Sequence, residues 1–211
     1  MEYLHNLLAA YNATIPRESR SSWSIQFLDS DFPKYWKLVY SLLERMDRHL
    51  RIVEIGCGQG DIISIPCYLG FNDISAYERD LSQAKIASKK LNKLFGKNDI
   101  VRPIEFNNQV VVSAEILILV NCVYAESIHT KREYLNQIFS WFEAANKPKY
   151  IILECIDDAY TEEDNVFPKC VRVNTKDIEN LFPMAHIETF RTYTYPINKK
   201  SKKLYFITNH S

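Results

Sequence analysis

The chain has 211 residues, enough for one full-sized hydrophobic core and a short extension. Hydrophobic residues make up 46% of it and charged residues 25%, a composition typical of a globular domain. Lys and Arg together number 26, and so do Asp and Glu, so the formal net charge is zero. This balance argues against a protein held to nucleic acid mainly by its overall charge, although a local basic groove stays possible.

No part of the sequence predicts export or a membrane span. The N-terminus lacks a basic region followed by an apolar core, and the longest apolar run, Ile116 to Val120, is far shorter than the roughly 18 residues that a bilayer requires. The five cysteines, at positions 57, 67, 122, 155 and 170, are widely spaced and form no C-x-x-C pair. We therefore expect a cytoplasmic protein with reduced, buried thiols and no metal site.

Two helices are predicted before the first strand, and we assign residues 1–50 to an N-terminal helical cap. Residues 2–11 place four apolar side chains, Leu4, Leu7, Leu8 and Tyr11, on one helical face. A second helix is predicted to begin at Asp31, with Pro33 just inside it. Its apolar stripe consists of Trp36, Val39, Tyr40, Leu43 and Met46.

From residue 51 onward, predicted strands and helices alternate. The strands are expected at 51–55, 74–78, 101–106, 116–120 and 150–155. Helices are expected at 61–69, at 81–95 and at 175–182, and a further helix should begin at the capping box Thr130 to Glu133. Asp80 is the predicted cap of helix 81–95. Strands 187–195 and 204–208 should form a closing hairpin, with Lys199, Lys200, Lys202 and Lys203 at its tip. Residues 51–211 are therefore predicted to form one α/β domain with a doubly wound, mostly parallel seven-stranded sheet and an antiparallel C-terminal hairpin.

The first strand–helix turn, Gly56 to Gly60, is the predicted nucleotide site. Ligands of doubly wound sheets lie at the carboxyl ends of the strands where strand order reverses, and glycines allow the backbone to approach them closely. Glu54 precedes the turn, and Glu78 ends the second strand, where an acid can accept both ribose hydroxyls and would repel the phosphate of NADP. Asp61 stands where a dinucleotide fingerprint has its third glycine, which disfavours NAD and FAD. The alternative is an ordinary tight turn.

These segments resemble a known family. Val53-Glu54-Ile55-Gly56-Cys57-Gly58-Gln59-Gly60 resembles the first motif of class I S-adenosylmethionine-dependent methyltransferases, Ala76 to Asp80 the second, and Ile116 to Val123 the fourth strand and the turn beyond it. The resemblance covers residues 51–208 and implies S-adenosylmethionine as cofactor. It implies that the methionine moiety is held by Glu54 and by the turn residues Gly56, Cys57, Gly58 and Gly60, and its amino group by the Asn121 backbone. It also implies that Glu78 binds the ribose, that Arg79 lies against the adenine face, and that Asn107 or Asn108 contacts the adenine amine.

Methyl transfer from a sulfonium is an in-line displacement, in which an enzyme mainly supplies positioning. A general base is required only when the nucleophile arrives protonated. Tyr124, Glu126 and His129, just past the fourth strand, are the candidate catalytic residues. Each has a non-catalytic alternative. Tyr124 would only pack against its neighbours, Glu126 would be a solvent-exposed acid, and His129 would simply be the residue before the helix cap Thr130.

The acceptor is predicted from weaker signals. Residues 12–30 are polar yet carry Trp23 and Phe27, so we expect a lid over the acceptor, with Tyr11 and Trp23 as candidate acceptor-binding residues. The acidic residues Asp157, Asp158, Glu162, Glu163 and Asp164 would attract a cationic amine or form a solvated loop, and the hairpin lysines would touch RNA or protect a sheet edge. We expect methyl transfer to an O or N atom of a small molecule. A protein or peptide acceptor, or S-adenosylmethionine binding without catalysis, is the alternative; a membrane or nucleic-acid partner is not predicted, and the oligomeric state is left undefined.

Overall fold

The computed structural model describes residues 1–21, 33–107, 109–120, 127–160, 167–194 and 201–210. The helices in these ranges are α1 (Glu2–Ala13), α2 (Lys34–Leu43), α3 (Ser64–Leu69), α4 (Leu81–Phe95), α5 (Lys131–Ala144) and α6 (Thr175–Leu181). The strands are β1 (Ile52–Ile55), β2 (Ile74–Tyr77), β3 (Val101–Arg102), β4 (Ile116–Leu119), β5 (Tyr150–Asp157), β6 (Arg172–Val173), β7 (His186–Thr194) and β8 (Ser201–Thr208). None of the described helices has both the length and the apolar character that a membrane span requires.

The sheet follows the order β3-β2-β1-β4-β5-β8-β7, with the short β6 paired to the end of β5. β1, β4 and β5 pair in parallel, as do β2 and β3, whereas β8 is antiparallel to both β5 and β7. Strand order therefore reverses at β1, which lies beside β4 although β2 follows it in the chain. The prediction of a doubly wound, mostly parallel seven-stranded sheet with an antiparallel C-terminal hairpin is confirmed.

Two compact units make up the chain. The first joins residues 1–50 with residues 57–105, and its core contains buried apolar side chains such as Leu4, Leu8, Trp36, Leu43, Phe71 and Leu91. The second joins residues 51–56 with residues 106–211 and buries all four residues of both β1 and β4. The separate N-terminal cap over residues 1–50 stays a prediction.

Most predicted boundaries hold to within a few residues, and two differ for a reason that involves proline. Pro33 precedes α2 with φ −53° and ψ 141°, so it lies outside the helix that was expected to include it; Asp31 falls outside the described residues. β3 ends at Arg102 rather than at Phe106. Pro103 follows directly, and a proline has no N–H to donate to a neighbouring strand.

The predicted helix caps are confirmed. The Asp80 carboxylate accepts from the Ser82 hydroxyl at 2.6 Å and from the backbone N–H groups of Gln83 at 3.1 Å and Ser82 at 2.8 Å, and these bonds lower the pKa of Asp80. Thr130 and Glu133 form the expected capping box at α5. Asn174 and Asp177 form a second capping box at α6, which was not predicted.

The closing hairpin differs from its prediction in the position of two lysines. Lys202 and Lys203 lie within β8 and not at the tip, while Lys199 and Lys200 fall outside the described residues. Lys202 is 7% exposed, and its Nζ lies 3.6 Å from Oε2 of Glu154, whose other oxygen accepts from the Thr192 hydroxyl at 2.7 Å. Lys202 therefore lies against a buried carboxylate instead of projecting into solvent.

The acidic segment predicted after the fifth strand also differs from its prediction, because its first residue belongs to the strand. Asp157 is the last residue of β5, 3% exposed, with Oδ2 3.1 Å from Nζ of Lys203. It is a strand residue and not part of a solvated acidic loop. The remaining acids of that run, apart from Asp158, lie outside the described residues. Because a one-residue slip of β8 would turn every side chain to the opposite face, the two ion pairs fix its register against β5.

The buried pair gives a prediction about stability. We expect Lys202→Met to lower the free energy of unfolding by about 3–5 kcal/mol, because it removes the cation that faces a buried carboxylate. Denaturant titration measures this. The double variant Lys202→Met/Glu154→Gln, which removes both charges, should recover most of the loss. Lys147→Met is the control, since Lys147 pairs with Glu143 at the same 3.6 Å but is 57% exposed; it should cost about 1 kcal/mol or less. Equal losses at the two positions would contradict the buried pair.

Candidate nucleotide-binding site

The glycine loop, Cys57–Gly60, is a tight turn in the first unit. Its N-terminal end is held where the Cys57 N–H donates to the carbonyl of Tyr77, the last residue of β2, at 3.1 Å. The Gly60 N–H donates back to the Cys57 carbonyl at 2.8 Å and closes the turn. Gly58 and Gly60 have φ of 52° and 81°, the left-handed region in which other residues are strained.

The two glycines are required for different reasons. A Cβ at Gly60 would lie 3.0 Å from Cβ of Ala87 in α4, so Gly60 allows close packing of the loop on that helix. A Cβ at Gly58 would meet no atom of the described residues within 4 Å. Among the described residues, Gly58 thus borders open space, and a group bound in that space could approach the backbone to a distance that a side chain would prevent.

Glu78, which directly follows β2, bridges the loop and the start of α4. Its Oε2 accepts from the Gly58 N–H at 2.8 Å, and its Oε1 accepts from the Asp80 N–H at 2.8 Å. The side chain is half-buried. An ionised carboxylate has about four acceptor positions, so two of them stay available for hydroxyl donors of a ligand. A half-buried carboxylate fixed against a glycine loop fits the ribose of an adenosyl group.

Arg79 lies beside this carboxylate in the sequence and is accessible to a ligand. Its Nη1 is 3.8 Å from Oε1 of Glu105, and the two side chains are 46% and 60% exposed. An exposed pair at this separation contributes about 1 kcal/mol or less. The guanidinium can therefore exchange this contact for stacking on an aromatic ring at little cost.

Four predicted site residues lie in the second unit, where each can be placed by itself. Gly56 directly follows β1 and has φ 70°, in the left-handed region. Glu54 is 1% exposed within β1, in register with Ile118 of β4. Asn107 is exposed, and its Oδ1 accepts from the Gln109 N–H at 2.9 Å, which makes a local turn. His129 is also exposed.

The backbone of His129 belongs to the cap of α5. Its N–H donates to Oε2 of Glu133 at 2.8 Å, as does that of Thr130 at 3.0 Å. These two bonds are the main reason that the pKa of Glu133 is lowered. The contact is the one expected if His129 merely precedes the Thr130 cap, and a catalytic role for its ring stays a prediction.

Several predicted residues cannot be placed. Asn108, Asn121, Tyr124, Glu126 and Trp23 all lie outside the described residues, and so do Cys122 and residues 22–30 of the expected lid. Their roles stay predictions. Of the other cysteines, Cys57, Cys67 and Cys155 are buried, as expected, and Cys170 is half-buried.

A polar cluster that was not predicted from the sequence lies beside the glycine loop. The Asp61 carboxylate accepts from Nδ2 of Asn12 at 3.0 Å and from Nζ of Lys90 at 2.7 Å. Tyr11, predicted to bind the acceptor, has its ring centre 5.8 Å from the Lys90 Nζ and 5.7 Å from that of Lys93, and burial raises its pKa. A signal was present, because Asn12 continues the i, i+4 stripe of Leu4 and Leu8 and is buried like them.

Alanine at the two loop glycines should separate packing from backbone strain. Gly60→Ala adds a 3.0 Å contact to its strain, so we expect it to lower the free energy of unfolding by about 2–4 kcal/mol. Gly58→Ala adds strain alone and should cost about 1–2 kcal/mol.

Gly96→Ala is the matched control for strain, since Gly96 has φ 65° and a Cβ there would likewise meet no described atom within 4 Å. Thermal or denaturant unfolding compares the three variants. Equal destabilisation by Gly60→Ala and Gly96→Ala would contradict the packing assigned to Gly60.

Known proteins match this chain in structure rather than in sequence. No protein-family model and no curated protein matches it. Magnesium protoporphyrin IX methyltransferase from Synechocystis PCC 6803 with bound SAM (S-adenosylmethionine) superposes with a TM-score of 0.64 and 12% identity, over 98% of this chain and 97% of that chain. An S-adenosylmethionine-dependent methyltransferase from Clostridium acetobutylicum ATCC 824 has a TM-score of 0.60 and 12% identity, over 87% of this chain and 94% of that chain. The methyltransferase domain of bacterial CtHen1-C has a TM-score of 0.60 and 11% identity, over 84% of this chain and 98% of that chain. The chain therefore has the fold of class I S-adenosylmethionine-dependent methyltransferases, a fold that binds S-adenosylmethionine in the Synechocystis enzyme.

Proposed function

We propose that this chain is an S-adenosylmethionine-dependent methyltransferase that acts on an O or N atom of a small molecule. The observation that carries the proposal is the bond from the Gly58 N–H to the Glu78 carboxylate, beside open space at Gly58. This arrangement offers a charged acceptor for ribose hydroxyls and a backbone that a ligand can approach closely. It also holds the two predicted motifs, which lie on separate segments of the chain, in direct contact.

The residues around Asp61 support an adenosyl ligand over a dinucleotide. In the dinucleotide fingerprint, this position is a glycine that permits close helix–strand packing. Here it is a carboxylate engaged by both Asn12 and Lys90, so the position has a different structural role. The Glu78 carboxylate likewise disfavours a ligand with a ribose phosphate.

In the proposed site, Glu78 accepts the ribose hydroxyls, Arg79 lies against the adenine, and the glycine loop accommodates the methionine moiety. The resemblance adds Glu54, Asn107 or Asn108, and the backbone of Asn121 as further cofactor contacts. S-adenosylmethionine supplies an activated methyl group, and the chain positions the acceptor in line with it. Tyr124, Glu126 or His129 would orient the acceptor and take its proton where the nucleophile is protonated.

Support for a small-molecule acceptor comes from one structural neighbour, a methyltransferase of magnesium protoporphyrin IX. The alternatives are a protein or peptide acceptor, and cofactor binding without catalysis. Incubation with methyl-labelled cofactor and fractionated cell extract separates the three, because label would appear in low-mass products, in protein, or in neither.

Calorimetry tests the cofactor directly. We expect S-adenosylmethionine and its demethylated product to bind and NAD not to bind, because Glu78 and the glycine loop suit a single adenosyl group. Binding of NAD, or failure of both adenosyl ligands to bind, would refute the proposal.

Substitution at Glu78 should weaken binding in a measurable range. Glu78→Ala removes a charged acceptor and should cost about 1.5–3 kcal/mol of cofactor binding, or about 10- to 150-fold in Kd. Glu44→Ala removes an exposed acid of the same unit and serves as the control. If Glu78→Ala binds as tightly as Glu44→Ala does, the ribose contact lies elsewhere.

Valine at Gly58 should abolish cofactor binding, because the branched side chain would occupy the space beside the loop. Gly96→Val carries the same left-handed strain away from the loop and should bind normally. Titration calorimetry on both variants, after confirmation that each is folded, measures the difference. Normal binding by Gly58→Val would show that the open space is not the ligand site.

A further inference from the structure

The glycine loop and Asp61, the residue that follows it, contact two different parts of the first unit. Gly58 donates to Glu78 and borders open space. Gln59 and Asp61 instead reach the N-terminal segment: Nε2 of Gln59 donates to the Ser19 carbonyl at 2.6 Å, and the Asp61 carboxylate accepts from Asn12 at 3.0 Å. Two side chains of one short turn thus connect a candidate ligand surface to residues 12–19.

Each connection has one buried partner. Gln59 and Asn12 are each 3% exposed, and Lys90, which donates to Asp61 at 2.7 Å, has a side chain that is 0% exposed. Buried hydrogen bonds and ion pairs are costly to break, since each leaves a desolvated group behind. The contacts of Asp61 therefore join three elements, α1, the loop and α4, in a single geometry.

The segment that the loop contacts is itself folded. The guanidinium of Arg20 donates to the carbonyls of Ile15 and Ala13, both at 2.7 Å. Ile15 is 5% exposed, and the Thr14 N–H donates to the Tyr11 carbonyl at 2.9 Å. Loss of the bonds from Gln59 and Asp61 would consequently release a compact segment and not one side chain.

The loop is short and is hydrogen-bonded at both ends. The Gly60 N–H donates to Cys57, while the Gly60 carbonyl accepts from the hydroxyl of Ser64 at 2.6 Å. Gly58 cannot be fixed by a ligand without restricting Gln59 and Asp61, the residues on either side of Gly60.

We propose that Gln59 and Asp61 are positioning residues that couple occupancy of the cofactor site to the ordering of α1 and residues 14–19. This inference rests on the proposed function. Binding of the adenosyl ligand fixes the loop, and the fixed loop holds the N-terminal segment in place. The coupling is reciprocal, so contacts between the segment and the loop also raise cofactor affinity. The degree of order of α1 and residues 14–19 therefore depends on whether cofactor is bound.

Amide hydrogen exchange on the full chain tests this, with S-adenosylhomocysteine as the probe ligand. In the wild type, the ligand should slow exchange of the α1 amides about fivefold or more. In Asn12→Ala the slowing should fall to about twofold or less, and ligand affinity should weaken about three- to tenfold. The control is Asn6→Ala, which makes the same change on the exposed face of the same helix and should behave as wild type.

The possible failures are distinguishable. Ligand binding to the wild type with unchanged α1 exchange would overturn the coupling and leave the proposed function intact, and so would identical behaviour of Asn12→Ala and Asn6→Ala. Absence of ligand binding to the wild type would overturn both. If Asn12→Ala does not fold, Gln59→Ala removes the other connection, and the same loss of ligand-dependent protection is expected.

Discussion

The hydrogen bond between the Gly58 N–H and the Glu78 carboxylate determines how the candidate site is built. It joins a turn whose glycines lie in the left-handed region to the residue that directly follows β2. The same carboxylate accepts from Asp80, which in turn caps α4, so loop, strand end and helix start share one set of bonds. Gly60 then packs on Ala87 of that helix. Gly58, the residue after β2 and the start of α4 are therefore joined through this carboxylate.

Much of this arrangement could be predicted from the sequence, because it depends on local patterns. Helix α4 begins after Asp80 and ends before Gly96 as the capping residues indicate, and β4 lies where a short apolar run predicted a buried strand. The spacing of Glu78 from the glycines was also informative, since in a doubly wound fold the turn after the first strand and the end of the second strand lie at the same edge of the sheet.

The parts that could not be predicted depend on contacts between distant segments. Lys202 looked like a hairpin charge because its partner Glu154 lies in a strand that becomes its neighbour only through the order of the sheet. Asp61 was noted only as a residue that is not glycine. Its bonds to Asn12 and Lys90 require the N-terminal helix and α4 to lie on either side of the loop, and no local pattern encodes that.

The antiparallel placement of β8 has a consequence for the order in which the protein assembles. Glu154 and Asp157 leave the ribosome before Lys202 and Lys203, the lysines with which they pair. The two carboxylates of β5 therefore lack these partners until synthesis has passed Lys203. The parallel half of the sheet can collapse earlier, but its edge at β5 would carry charge that resists burial. Those acids discourage premature pairing of β5 with another strand, and closure of the second unit then waits for the synthesis of β8.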